Sequence, residues 1–284
     1  MARAFAWIVA AYMAAVIVAI LTVQALANDA LWAALWADVL ATAAVFAFSL
    51  SFRNSSFYDA YWSVAPPLLL GYWWWTLDGG FHWRLLLAAL LVLTWAVRLT
   101  WNWASGWQGL SHADWRYVRL KDQLGRGYWP VSFLGVHLVP TLVVFAGCLP
   151  LYVVAGGSAP LGPWDGLGVV VGSAAVWLET RADLELGVFR TARASRSMVL
   201  DTGVWSWCRH PNYLGEIGFW AALACFGLGA AQAVYWPLVG LVAILALLLG
   251  VSIPMLERKL AEDKPDFQAY RRRTPMLLPW GSNS

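Results

Sequence analysis

Residues 207–216 read WCRHPNYLGE, and the stretch that follows, IGFWAALACFGLGAA (217–231), is almost wholly apolar. Arg209, His210, Asn212 and Glu216 therefore stand at the mouth of a hydrophobic segment. Pro211 suits the first turn of a helix, where its missing N–H costs nothing. Asn212 and Glu216 are then four residues apart and share one face. Backbone N–H groups at such a helix start favour anions, and Arg209 and His210 stand just before it. A polar cap at a membrane interface accounts for Asn212 and Arg209. It does not account for Glu216, one turn into apolar sequence.

The rest of the chain explains why the segment is apolar. Of 284 residues, 61% are hydrophobic and 12% charged, against roughly 25% charged in soluble domains. One water-soluble core cannot absorb that surface, so the bilayer is the expected solvent. The three cysteines, Cys148, Cys208 and Cys225, show no C-x-x-C spacing, so neither a disulfide framework nor a zinc pattern is present.

Apolar stretches recur near 5–27, 31–50, 62–77, 82–104, 131–154, 164–187, 213–230 and 233–254. A span needs about 20 apolar residues. The third is short and interrupted by Pro66-Pro67, and the seventh is short and glycine-rich. The expected fold is all-α, a polytopic membrane helix bundle of seven or eight transmembrane segments. Arg3, the first apolar run and Ala25-Leu26-Ala27 imitate a signal peptide. The run exceeds the usual length of about 7–15 residues, so a retained first helix is expected.

Basic residues fall on alternate loops. Arg53, then Arg116, Arg119, Lys121 and Arg126, then Arg190, Arg193, Arg196 and Arg209, then the tail from Arg258 to Arg273 lie on one side. The opposite loops hold none, and Arg84 alone lies near that side. The positive-inside rule then places both termini in the cytosol. Residues 1–50 form an N-terminal transmembrane hairpin, and no polar linker divides the remainder.

Four polar stretches, 52–63, 111–129, 189–212 and 257–275, share the predicted cytosolic side and are placed to roof a site within the bundle. Basic loops also serve topology alone, by touching anionic headgroups. These stretches, however, mix Asn, Asp, Tyr and Trp with their Arg, which a topology signal does not need.

The sixth apolar segment ends VWLETRADLELGVFR (176–190), with Glu179, Asp183 and Arg190 in one helical stripe and Arg181 and Glu185 off it. Charges inside a span cost about 2.5–3.5 kcal/mol each on insertion scales, and usually line a cavity or pair. Pairing that merely holds helices together is one reading. A ligand site is the other. Arg98 and Asn102, four apart in the fourth segment, supply a partner for those carboxylates or for phosphate.

WSWCRHPNYLGEIGFW (205–220), preceded by ETRADLELGVFR (179–190), resembles the C-terminal region of the membrane steroid 5-alpha-reductase family, most closely its bacterial branch, the DUF1295 group. NSSFYDAYWSVAP (54–66), RLTWNW (98–103) and DWRY (114–117) extend the resemblance from about residue 50 to the end, which makes 51–284 a steroid-reductase-like membrane catalytic domain. The R-H-P-x-Y core is shared with isoprenylcysteine and phospholipid methyltransferases, which use S-adenosylmethionine. The fuller N-Y-x-G-E with its upstream acid-x3-D-x6-R looks like the reductases.

The resemblance implies NADPH bound from the cytosolic side of the bacterial inner membrane, and hydride transfer to an electron-poor C=C bond. It implies a cofactor set of Arg98, Glu179, Asp183, Arg190, Arg209, His210, Asn212, Tyr213 and Glu216, with Arg193 a further phosphate candidate. The substrate-side acid falls on Asp59, with a hydroxyl from Tyr58 or Tyr61. The chain departs from the family in carrying Glu179 where Asn is frequent, and Trp95 near the expected tyrosine. No G-x-G-x-x-G follows a strand, so a Rossmann fold is not the holder.

The implied partner is a lipophilic substrate entering from the bilayer, whether sterol, fatty enoyl, isoprenoid or quinone-like, with membrane lipids around it and no nucleic acid. An S-adenosylmethionine-dependent methyltransferase and a non-catalytic lipid-binding protein are the competing expectations.

Overall fold

The computed structural model describes residues 1–77, 79–192, 195, 197–231 and 236–278. Among these there is no strand. Helices α1 (Ala2–Ala25) and α2 (Ala30–Ser51) pack as a hairpin, and Asp29 caps α2 by accepting from the N–H groups of Leu31 and Trp32. A 3-10 turn at Ser55–Tyr58 leads into α3 (Tyr61–Thr76), and α4 spans Trp83–Gly106. Next come α5 (Trp115–Leu124), the short α6 (Tyr128–Val131), a π-helical stretch at Ser132–Leu138 and α7 (Val139–Gly156). Helix α8 (Pro163–Ala192) and α9 (Pro211–Ala231) follow, then α10 (Val239–Leu247), a second π stretch at Leu248–Ser252, α11 (Ile253–Asp263) and α12 (Phe267–Arg273).

Six of these elements are long and apolar enough to cross a membrane: Ala2–Ala25, Ala30–Ser51, Trp83–Gly106, the run Trp115–Gly156, Pro211–Ala230 and Val239–Asp263. The other two apolar stretches are helical but differ. Helix α3 has only 16 residues, with Pro66 and Pro67 inside it. Helix α8 is 30 residues long and carries the charged stripe in its second half. Each π stretch stands just before a proline, Pro140 or Pro254. Proline lacks an N–H and clashes with the carbonyl four residues back, and widened turns are a known way for a helix to absorb such a break.

Small residues let α8 and α9 approach. A Cβ on Gly215 would lie 2.4 Å from Glu179 Cγ and 2.9 Å from the Ala175 carbonyl oxygen, and one on Gly218 would meet Ala175 Cβ at 3.0 Å. Within lipid, such small-residue contacts are the main route to close helix packing. The surrounding core is aromatic: Trp73, Trp95, Phe219, Trp220 and Phe226 are all fully buried. At one end, Arg84 is buried and meets Asp165 through two hydrogen bonds of 2.6 and 2.8 Å, and it also donates to the carbonyls of Ala159 and Pro160.

The polar stretches gather and bond to each other. Asn54 donates to the carbonyls of Leu110 and His112, and Arg119 pairs with Glu262. Lys264 donates to the Met198 carbonyl, Tyr270 to that of Trp205, and Arg273 pairs with Asp201.

Candidate functional site

Three helices bring four predicted site residues together. Arg98 of α4 lies between Glu179 and Asp183, one turn apart on α8, in ion contact with Glu179 and 2.5 Å from Asp183 Oδ2. Glu216 of α9 lies within electrostatic reach of Glu179 and Arg98. Asp183 also feels the charge of Arg190, two turns on. The stripe read from the sequence is thus real, and Arg98 is its partner. Glycine at 215 makes the arrangement possible, because a side chain there would strike Glu179.

Glu216 is held by two indoles. Trp95 Nε1 donates to Oε2 at 3.1 Å, and Trp220 Nε1 donates to Oε1 at 2.8 Å. Trp95 stacks on Phe219 with centroids 4.3 Å apart and planes 4° from parallel, which fixes the direction of its N–H. Several polar atoms here lack partners. Neither Glu179 oxygen has a hydrogen bond in good geometry despite the Arg98 contact, and Arg98 Nε and Asn212 Oδ1 are buried without one. Buried polar groups are nearly always paired, which makes Arg98 Nε and Asn212 Oδ1 unusual among the atoms of this cluster.

Arg209 and His210 belong to a second cluster. Arg209 Nε donates to Glu257 Oε1 at 2.8 Å, and its Nη1 donates to the carbonyls of Thr274, at 2.5 Å, and Arg271. His210 Nε2 is 3.0 Å from the same Glu257 oxygen. The structure commits both residues to the C-terminal segment, and the arginine's backbone N–H also donates to the Pro275 carbonyl. The sequence grouped them with Asn212 because all are adjacent in the chain. Glu257, buried on α11, is the partner that grouping lacked. Arg193 lies outside the described residues.

Asp59 is likewise placed with an unexpected partner. Its Oδ1 accepts from the Tyr117 hydroxyl at 2.6 Å. Burial pushes its carboxyl up to about 6, opposed by the Tyr117 hydrogen bond and by Arg116. Tyr58 and Tyr61 are not brought to Asp59. The Tyr58 hydroxyl pairs with Thr141 at 2.7 Å, and Tyr61 donates to Asp38 at 2.8 Å. Tyr58, the last residue of the 3-10 turn, reaches α7, and Tyr61, the first residue of α3, reaches α2. Nor does Trp95 serve Asp59, since its one N–H is spent on Glu216. Tyr213, on α9 beside Asn212, feels both Glu216 and Arg116. The α4–α8–α9 cluster and the Asp59–Tyr117 pair are therefore electrostatic neighbours.

Sequence reasoning missed Trp220, Tyr117, Glu257 and Asp38. Trp220 carried a signal, standing four residues after Glu216 on the same helix. Tyr117 and Glu257 carried none, because their partners are 58 and 48 positions away.

Comparisons with known proteins place the chain in a family. A family model described as a protein of unknown function, DUF1295, matches residues 45–274, a range that includes Asp59, Arg98, Tyr117, the α8–α9 cluster and Glu257 but not Asp38. An uncharacterised protein of Schizosaccharomyces pombe is 23% identical over 80% of this chain and 73% of its own length. The nickel-cobalt-cadmium resistance protein NccN of Alcaligenes xylosoxydans xylosoxydans is 29% identical over 52% of this chain and 67% of its own. The cobalt-zinc-cadmium resistance protein CzcN of Cupriavidus metallidurans is 31% identical over 41% of this chain and 53% of its own. No solved structure matches the chain significantly. With a match that covers both the clustered helices and the polar loops, the chain belongs to the DUF1295 family.

Proposed function

We propose that the chain is an integral membrane oxidoreductase that uses NADPH to reduce the C=C bond of a lipophilic enone, with α3 and α8 completing an eight-helix bundle. The reading rests on one observation: Arg98, Glu179, Asp183 and Glu216 converge from three helices, and Asn212, one turn before Glu216, keeps a buried acceptor oxygen without a hydrogen bond. The unpartnered Asn212 Oδ1 suits a ligand donor, such as a carboxamide N–H or a sugar hydroxyl. Phosphates need cations, and the carboxylates already balance Arg98. That role falls to Arg190 and its neighbours on the predicted cytosolic side, while Arg209 and His210 hold the C-terminal segment in place. The residues present fit the nicotinamide-ribose part of the cofactor best.

When bound, NADPH supplies a hydride equivalent. The work of the chain is to place it and to stabilise the charge that grows on the enone oxygen. Asp59 in its protonated form donates to that oxygen, and Tyr117 holds the carboxyl in position. Preorganised donors of this kind are usually the largest catalytic term. Glu216, fixed by Trp95 and Trp220, accepts from the ligand without reorienting.

The metal-resistance names of two relatives are not carried over. Among the described residues no three His, Cys, Asp or Glu side chains gather so as to hold a metal ion.

Calorimetric titration of the protein in nanodiscs with NADPH, and separately with S-adenosylmethionine, tests the proposal. Saturable NADPH binding, weakened at least tenfold by Asp183→Asn or Asn212→Ala, is expected. Binding of S-adenosylmethionine with none of NADPH would replace it with methyl transfer. Binding of neither would leave the lipid-binding reading.

A further inference from the structure

A second site lies among the three N-terminal helices, away from the cluster just described. A cavity of about 270 Å³ opens between α1, α2 and α3, lined by Tyr12, Ala19, Asp38, Tyr61, Leu68 and Tyr72 among others. Its walls are apolar apart from Asp38 and the tyrosine hydroxyls. Leu68 at its rim is 53% exposed, so the cavity opens toward the surface that a bilayer would cover. Most of its α1 and α2 lining precedes residue 45, where the family match begins.

Asp38 is the anomaly. It is 5% exposed, and its Oδ1 accepts from the Tyr61 hydroxyl while its Oδ2 has no partner at all. Among the described residues no ion pair is formed by Asp38, and His137, whose ring lies against that of Tyr58, is spent on Ser49 and on the Ser132 carbonyl. The other polar neighbours are the Cys148 thiol and a set of hydroxyls: Thr42, one turn on, pairs with Thr141, which in turn pairs with Tyr58. An ionised carboxylate without a cation is strongly disfavoured at this depth. The uncharged carboxyl avoids that cost and carries one O–H on its free oxygen. The groove thus offers a single buried donor at the polar end of an apolar slot.

We infer that this groove binds a neutral, slender membrane lipophile through one acceptor oxygen, a ketone or ester carbonyl, hydrogen-bonded to the Asp38 carboxyl. The ligand comes from the bilayer, since the groove opens that way. It is a single chain or small ring system, because the cavity is smaller than the roughly 300–1,000 Å³ of drug-sized sites. The site does not depend on the cofactor reading: Asp38 has no part in it.

The test uses the full chain in nanodiscs with three chain-matched probes: farnesylacetone as ketone, farnesylamine as cation and farnesene as hydrocarbon. Farnesylacetone should bind saturably and at least tenfold more tightly than farnesene. Its carbonyl infrared stretch should fall on binding. Asp38→Leu should abolish the stretch shift and reduce ketone affinity to that of the hydrocarbon. Ala19→Phe, which fills the slot and keeps Asp38, should abolish binding and covers the case in which the leucine variant misfolds. Preference for the amine, unchanged ketone binding in either folded variant, or no saturable ketone binding in the wild type would each overturn the inference. NADPH binding measured on the same samples should be unaltered, so the two readings fail separately.

Discussion

Tyr117 on α5 places its hydroxyl 2.6 Å from Oδ1 of Asp59, across 58 positions of sequence. The bond ties the loop between α2 and α3 to the first helix of the long central run. It also gives a buried carboxyl its nearest donor, a role the sequence had offered to Tyr58 or Tyr61.

That carboxyl titrates where it can be measured. Burial raises it from the ordinary 3.8 to about 6. A raised carboxyl means the folded chain holds a proton the unfolded chain has lost. Its stabilising contribution is complete below about pH 4, falls as pH rises through 6 and is flat above. Thermal unfolding in detergent from pH 3.5 to 7.5 should show the wild type losing stability relative to Asp59→Asn between about pH 4 and 6, with no further change above. If protonated Asp59 is the donor to substrate, turnover should fall about tenfold per pH unit above 6, and Asp59→Asn should lower turnover with little change in NADPH affinity. Parallel unfolding profiles would remove Asp59 from both arguments.

Close approach of α8 and α9 predicts an asymmetric pair of glycine variants. Gly215→Ala drives a methyl against Glu179 and the Ala175 carbonyl, and overpacking of this kind costs about 1–3 kcal/mol. At Gly187, on the same α8, an added methyl meets nothing, and alanine in a helix gains up to about 1 kcal/mol over glycine. Melting temperature should drop for the first and hold or rise for the second.

Loss of Glu257 should release the C-terminal segment. Its carboxylate satisfies both Arg209 and His210, and removing one partner of a buried pair costs about 3–5 kcal/mol. Glu257→Ala should speed limited proteolysis near residues 198–210 and 264–275. Glu257→Gln, which keeps an acceptor, should show a smaller effect. Equal cleavage in all three proteins would show that the cluster does not anchor the segment.

Trp95→Phe keeps the ring that stacks on Phe219 but removes the donor to Glu216. A buried acceptor that loses its partner costs about 1–3 kcal/mol. The unfolding midpoint should fall accordingly, whereas Trp207→Phe, at an exposed position, should change it little.

Much of the candidate site was legible because helical spacing is local. Glu179 and Asp183 had to share a stripe once the segment was helical, and Asn212 and Glu216 likewise after Pro211. The apolar runs gave the helices for the same reason. Six have the length and polarity of spans, while α3 and α8 show that an apolar run can fold as a helix without meeting both conditions. Chain adjacency misled at Arg209 and His210, which leave the neighbourhood of Asn212 for Glu257.

From composition and period alone the chain is bound to be a helical membrane protein with ionisable side chains turned inward, since lipid penalises every unpaired backbone group and charge. Which charge meets which was decided only by tertiary packing. Arg98 finds Asp183 across 85 positions, Tyr117 finds Asp59 and Tyr61 finds Asp38. Helical period fixes the face on which a side chain stands, but the neighbour of that face depends on how the helices are stacked.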